Sequence, residues 1–131
     1  MTFFLTAAEA LRVIEAAIGA RPQARDAGLL LSALARPAAV LFGREAYPDP
    51  FVKAAALTHS LVANRALVDG NKRAGLACAI VFLHANGAPL GISQEAAYSL
   101  TMDVASGLAD LEVIAARLRS VGRFAAAGAC G

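Results

Sequence analysis

The chain has 131 residues, 58% of them hydrophobic and 17% charged, with a formal net charge of +2 at pH 7. That length and composition describe one folded domain with enough apolar material for a core, and exclude a disordered or low-complexity protein. The charge is small and dispersed, and with two tyrosines and no tryptophan there is no basic stripe interleaved with aromatics, so nucleic acid is not an expected partner.

Taken in order, Met1 to Ala20 opens on Phe3-Phe4-Leu5 but lacks a basic leader, and Glu9, Arg12 and Glu15 interrupt its apolar run, which argues against a signal peptide. It reads as a helix begun by a capping box, Thr6 with Glu9, that buries Leu11, Ile14, Ala17 and Ile18. Gly19 to Arg25 is a loop. Asp26 caps a short helix through Leu29, Leu30, Leu31 and Leu34 that ends before Pro37, with Leu31 expected to be at least half-buried. Ala38 to Pro48 is the least helical stretch, and Val40-Leu41-Phe42-Gly43 and Tyr47-Pro48 flank Arg44-Glu45 in what the pattern suggests is a short β-like flap or an exposed loop.

Asp49-Pro50 then opens a helix over Phe51 to Asn64, because Asp caps and Pro suits the first helical position. A second apolar helix runs from Gly70 to His84, with Leu76, Ala79, Ile80 and Leu83 at helical spacing, and stops at Asn86-Gly87. Ser93 caps a helix from Gln94 to Ser106, stopped at Gly107, and Asp110 caps the last, with Leu111, Ile114, Ala115 and Leu118 inward and Arg117 and Arg119 near its end. No stretch offers the roughly 18 charge-free apolar residues a membrane span needs, so no membrane partner is expected and the protein is expected to be cytoplasmic. Cys78 and Cys130 have no metal-ligand spacing, and Cys78 reads as a small core residue. Residues 1–121 are expected to form the domain and residues 122–131, rich in Ala and Gly, a frayed tail.

The stretch between the two central helices, Arg65-Ala66-Leu67-Val68-Asp69-Gly70-Asn71-Lys72-Arg73, gathers the suggestive chemistry. The first N–H groups of a helix lack intrahelical partners and sit at the positive end of its dipole, so its start is an anion site. Gly70 and Asn71 keep the turn small, Lys72 and Arg73 add full charge and a planar donor fork, and Asp69 is the carboxylate able to hold a magnesium ion bridging phosphate oxygens. A plainer account also fits these residue types: Asp-Gly as a common turn, Asp69 as a cap, and Asp69 with Arg73 as an i,i+4 ion pair. His59 precedes Arg65 by six residues, about 600° of helical rotation, so the two face apart and His59 reads as a hydrogen-bonded core histidine. His84, in the last turn of its helix, complements that helix's negative end.

The corner resembles the signature of the Fic/Doc superfamily, specifically its Doc (death-on-curing) branch, a motif of the form His-x-Phe-x-Asp-(Gly/Ala)-Asn-Lys-Arg joining two central helices. The match runs from Asp69 through Gly70, Asn71, Lys72 and Arg73, with flanking support from Leu57 to Asn64 and Ala79 to Gly87. It is supported further by Asp26 to Leu30, Ser32 to Pro37 and Val104 to Gly107, so that residues 3–119 are covered. Three positions depart from the pattern: Arg65 stands where the family carries its catalytic histidine, Leu67 where it carries Phe, and Leu31 where Doc-like chains carry a glutamate. A guanidinium stays protonated and cannot act as a general base, which histidine can.

The resemblance implies an all-α, Fic/Doc-like single-domain bundle of about six helices around a central antiparallel pair, with a short flap. It implies a toxin of a toxin-antitoxin system, similar to kinases that use ATP and magnesium to phosphorylate elongation factor Tu and stop translation until a cognate antitoxin blocks the site, with nucleotidyl transfer, another nucleotide or another translation protein as the target left open. Under it Asp69 holds magnesium, Gly70, Asn71, Lys72 and Arg73 bind the phosphates, and Arg65 stands with Asp69, Lys72 and Arg73 in the catalytic positions. Arg44, Glu45 and Tyr47 of the flap would align the target polypeptide. The alternative is a catalytically inactive member that keeps the anion site to bind nucleotide or an antitoxin helix without turnover.

Overall fold

In a computed structural model of the chain, residues 2–122 are described. They form helices α1 (Ala7–Ile18), α2 (Ala27–Ala35), α3 (Pro50–Ala63), α4 (Asn71–Ala85), α5 (Gln94–Ala105) and α6 (Leu111–Ser120), with a 3₁₀ turn at Arg36–Ala38 and two short strands, β1 (Val40–Leu41) and β2 (Arg44–Glu45). The architecture is all-α, with the strands forming a single antiparallel hairpin in the register Val40↔Glu45 and Leu41↔Arg44. The expected tail lies outside the described residues except for Gly122, which still belongs to the fold: it bridges Leu90 and packs beside Phe51.

Local chemistry starts the helices where the residue types say it should. The Thr6–Glu9 capping box forms, and Asp26, Asp49, Ser93 and Asp110 each accept a backbone N–H from the first turn of the helix they precede. Pro50 occupies the first turn of α3, where a missing N–H costs nothing.

α3 is the axis of the molecule, packing against α2, α4, α5 and α6. It is buried on almost every side, with Ala54, Ala55, Ala56, Leu57 and Thr58 all within the core. A helix surrounded by others needs apolar or small residues all round rather than on one stripe. A short loop turns the chain back so that α4 packs along α3, and Gly75 makes the approach close: a Cβ there would lie 2.6 Å from Val62 Cγ2 and 3.2 Å from the Thr58 carbonyl oxygen. α1 covers α4, burying Ala10 and Ile14.

Two burial expectations are corrected. Leu31 is 56% exposed, because three consecutive leucines at about 100° per residue cannot share one face; α2 turns Leu30 and Ala33 inward and Leu31 out. In α1 the inward position is Ala10, while Leu11 stands at the edge of the buried face, 36% exposed. Among the described residues no helix is long and apolar enough to cross a membrane.

Candidate functional site

Asn64 caps the end of α3, and the next residue, Arg65, is held in the left-handed region at φ 49°. Ala66 and Leu67 then dive into the core, 0% and 1% exposed, which leaves Arg65, Val68 and Asp69 on the surface. Two devices fix this loop. The strand-like segment before α2 lies against it, with Arg25 N–H donating to the Ala66 carbonyl at 2.7 Å and Val68 N–H to the Gln23 carbonyl at 2.9 Å. The Arg25 guanidinium adds bonds to the carbonyls of Arg65 at 2.9 Å and Asn64 at 3.2 Å. From the other side, the Asn71 amide grips both backbone groups of Leu67: Oδ1 accepts its N–H and Nδ2 donates to its carbonyl, each at 3.0 Å. Asn71 therefore acts through its side chain on the shape of the loop, and offers a ligand its backbone N–H.

Gly70, not Asp69, is the cap residue of α4. Its φ of 82° lies in the left-handed region, and a Cβ would meet Ile18 Cγ2 at 2.6 Å, so only glycine fits both the turn and the α1–α4 contact. Asp69 lies one residue earlier and accepts the Gly70 N–H at 2.8 Å. No side chain caps α4, whereas each of the other five α-helices has one that does. The first-turn N–H groups of α4 are thus left facing outward.

These residues open onto one cleft of about 570 Å³. It is lined by Arg65, Val68, Asp69, Gly70, Asn71, Lys72 and Arg73 from the corner and the start of α4, by Val62 of α3 and Leu76 of α4, and by Ala97, Tyr98, Thr101 and Ala105 of α5. Arg65, Lys72 and Arg73 meet no carboxylate within ion-pair distance among the described residues, so the i,i+4 pair between Asp69 and Arg73 is not formed. Three cations with no ion pair among the described residues, lining one cleft with Asp69 beside an uncapped helix start, are an arrangement suited to a multiply charged anion. A smaller cleft of about 210 Å³, lined also by Ile18, Ala20, Arg21 and Gln23, shares Val68, Asp69, Gly70 and Arg73 with the first.

Asp69 is exposed, and among the described residues no group of three or more His, Cys, Asp and Glu side chains could hold a metal ion. A single carboxylate fits a magnesium ion that arrives with phosphate oxygens and water, since magnesium keeps most of its hydration and accepts one or two protein carboxylates.

The flap residues lie elsewhere: Arg44, Glu45 and Tyr47 do not line the cleft. The buried Lys53 of α3 ties the hairpin down, its Nζ pairing with Glu45 Oε1 at 3.2 Å and donating to the Tyr47 carbonyl. Arg36 does the same from the 3₁₀ turn, donating to the Tyr47 hydroxyl at 3.1 Å and to Ser60 Oγ at 2.8 Å, with its guanidinium over the Tyr47 ring. His59 Nδ1 lies 3.2 Å from Arg36 Nη1. Its pKa is lowered, first by burial and then by the Arg36 charge, with Asp110 opposing. Neither His59 nor His84 reaches the cleft. Sequence reasoning did not single out Arg25, Arg36, Lys53 or Tyr98, since their roles rest on contacts between distant segments. Only the repeat of small residues at Ala97, Thr101 and Ala105 hints that one side of α5 lines a space.

Comparison with known proteins agrees with this geometry. Residues 4–83 match the sequence profile of the Fic/DOC family. Over its full length, and over the full length of the relative, the chain is 44% identical to a protein of Mycolicibacterium smegmatis named Toxin Doc.

Proposed function

The chain belongs to the Fic/Doc family, and from that premise we propose that it is a Doc-like toxin with a cognate antitoxin, binding ATP and magnesium in the corner cleft and phosphorylating a translation protein, with elongation factor Tu the target the resemblance implies. One observation carries the proposal: six of the seven motif positions, Arg65 and Asp69 to Arg73, line one cleft, and among the described residues none of its cations forms an ion pair.

In this account Lys72, Arg73 and the first-turn amides of α4 hold the phosphates. Gly70 allows the close approach, and Asn71 keeps the loop in shape through Leu67. Asp69 is the ligand for magnesium, which when bound would neutralise charge on the phosphate oxygens. Arg65 takes no proton; its guanidinium, one of the groups lining the cleft, stabilises charge on the group in transfer. Loss of a positioned base costs roughly 10²- to 10⁴-fold in rate. Phosphoryl transfer draws mainly on positioning and electrostatics, so slow turnover survives that loss. Arg44, exposed on β2, is the flap residue free to meet a target, while Glu45 and Tyr47 hold the hairpin on α3.

A specific observation favours a second reading, binding of nucleotide or an antitoxin helix without turnover. Among the described residues no histidine lines the cleft, and Asp69 is the one carboxylate that does. The two separate in one experiment, in which the wild type, Arg65→His and Lys72→Ala are incubated with labelled ATP, magnesium and elongation factor Tu. The toxin account expects slow labelling by the wild type, labelling about 10²- to 10⁴-fold faster by Arg65→His, and none by Lys72→Ala. Labelling by Arg65→His alone establishes the non-catalytic reading, and labelling by none of the three rules out phosphorylation of that target.

A further inference from the structure

We propose that Tyr98 is the platform on which a nucleotide's base stacks, and that the cleft takes purine nucleoside triphosphates by stacking and phosphate charge without telling adenine from guanine. The inference rests on the phosphate-binding account of the cleft and adds the base to it. Tyr98 is 69% exposed and lies on α5, lining the same cleft as the motif residues. Among the described residues its ring takes part in no aromatic or cation contact and its hydroxyl in no hydrogen bond. A ring left bare on the wall of a cationic cleft supplies the second half of a nucleotide site, a flat apolar surface beside a phosphate grip.

The lack of base discrimination follows from what surrounds that ring. Reading a purine edge takes a free side-chain donor and acceptor, such as an unengaged amide. Apart from Arg65, Thr101 and Asp69 to Arg73, the residues that line the cleft with Tyr98 are Val62, Val68, Leu76, Ala97 and Ala105, all apolar. The Thr101 hydroxyl already donates to the carbonyls of Ala97 and Tyr98, at 3.0 and 3.1 Å. The one amide side chain in the cleft, Asn71, has both its ends on Leu67. Every base has a π-face, so stacking alone tolerates either purine.

The test is calorimetric titration of the full chain, in magnesium, with ATP, GTP and inorganic tripolyphosphate, repeated on Tyr98→Ala and Tyr98→Phe. An exposed helical tyrosine is replaced by alanine without disturbing the core. The expected result is ATP and GTP affinities within about three-fold of each other. Tyr98→Phe should bind both as the wild type does, Tyr98→Ala about ten-fold more weakly, and tripolyphosphate should bind all three proteins alike. The inference is overturned if Tyr98→Ala keeps full ATP affinity, if it weakens tripolyphosphate as much as ATP, or if ATP and GTP differ by more than about thirty-fold. Failure of tripolyphosphate to bind the wild type would instead overturn the phosphate-binding account itself, and this inference with it.

Discussion

Gly70 is the residue on which the corner turns. Gly70→Ala would force an L side chain into φ 82° and drive its Cβ to within 2.6 Å of Ile18. Left-handed backbone alone costs roughly 1–2 kcal/mol for a residue with a Cβ, so a fall of at least that size is expected in urea unfolding, with nucleotide affinity lost alongside. Gly19→Ala, also left-handed but with nothing within 4 Å of the added carbon, should show the backbone cost alone. Cys78 makes a second prediction. Burial pushes its thiol up to about 12, so alkylation at pH 8 should be negligible in the native protein and rapid in denaturant. A native rate like that of a free thiol would contradict its place in the core. His59 gives the pH dependence. Its folded pKa is lowered, so the unfolded state binds more protons; stability is full above the unfolded value near about 6.5 and falls as the pH drops through it. The acid-side loss should shrink in His59→Gln.

At the scale of elements, the α3–hairpin connection depends on Lys53, which is 1% exposed and has an ammonium group that reaches Glu45 and the Tyr47 carbonyl. Lys53→Met keeps the length and apolar stem but removes the tether, so trypsin should cut after Arg44 several-fold faster while the helical content stays the same. An unchanged cutting rate would show that Arg36 holds the flap by itself. The elements also show where sequence was informative. Caps are local, within three residues of the groups they satisfy, so Thr6, Asp26, Asp49, Ser93 and Asp110 placed their helices directly. Lys53 and Arg36 were opaque because a buried cation and a surface one look alike until the distant groups they meet are known. Leu31 misled because leucine runs carry no periodicity of their own.

On the scale of the whole molecule, the helices bring the motif and α5 together around one cleft. The motif side was legible because its residues are contiguous, from Asp69 to Arg73. The α5 side was not, since nothing local to Tyr98 says that it shares a cleft with Lys72. Arg25 and Asn71 hold the loop between these parts through backbone groups, so the cleft's shape depends on segments remote in sequence. The most direct measurement is equilibrium binding of ATP with magnesium to the wild type and to Lys72→Ala/Arg73→Ala, with thermal melts of both. The account predicts saturable binding by the wild type that weakens as salt rises, and at least ten-fold weaker binding by the double variant at an unchanged melting temperature. Equal binding by the two proteins, or none by the wild type, would contradict it.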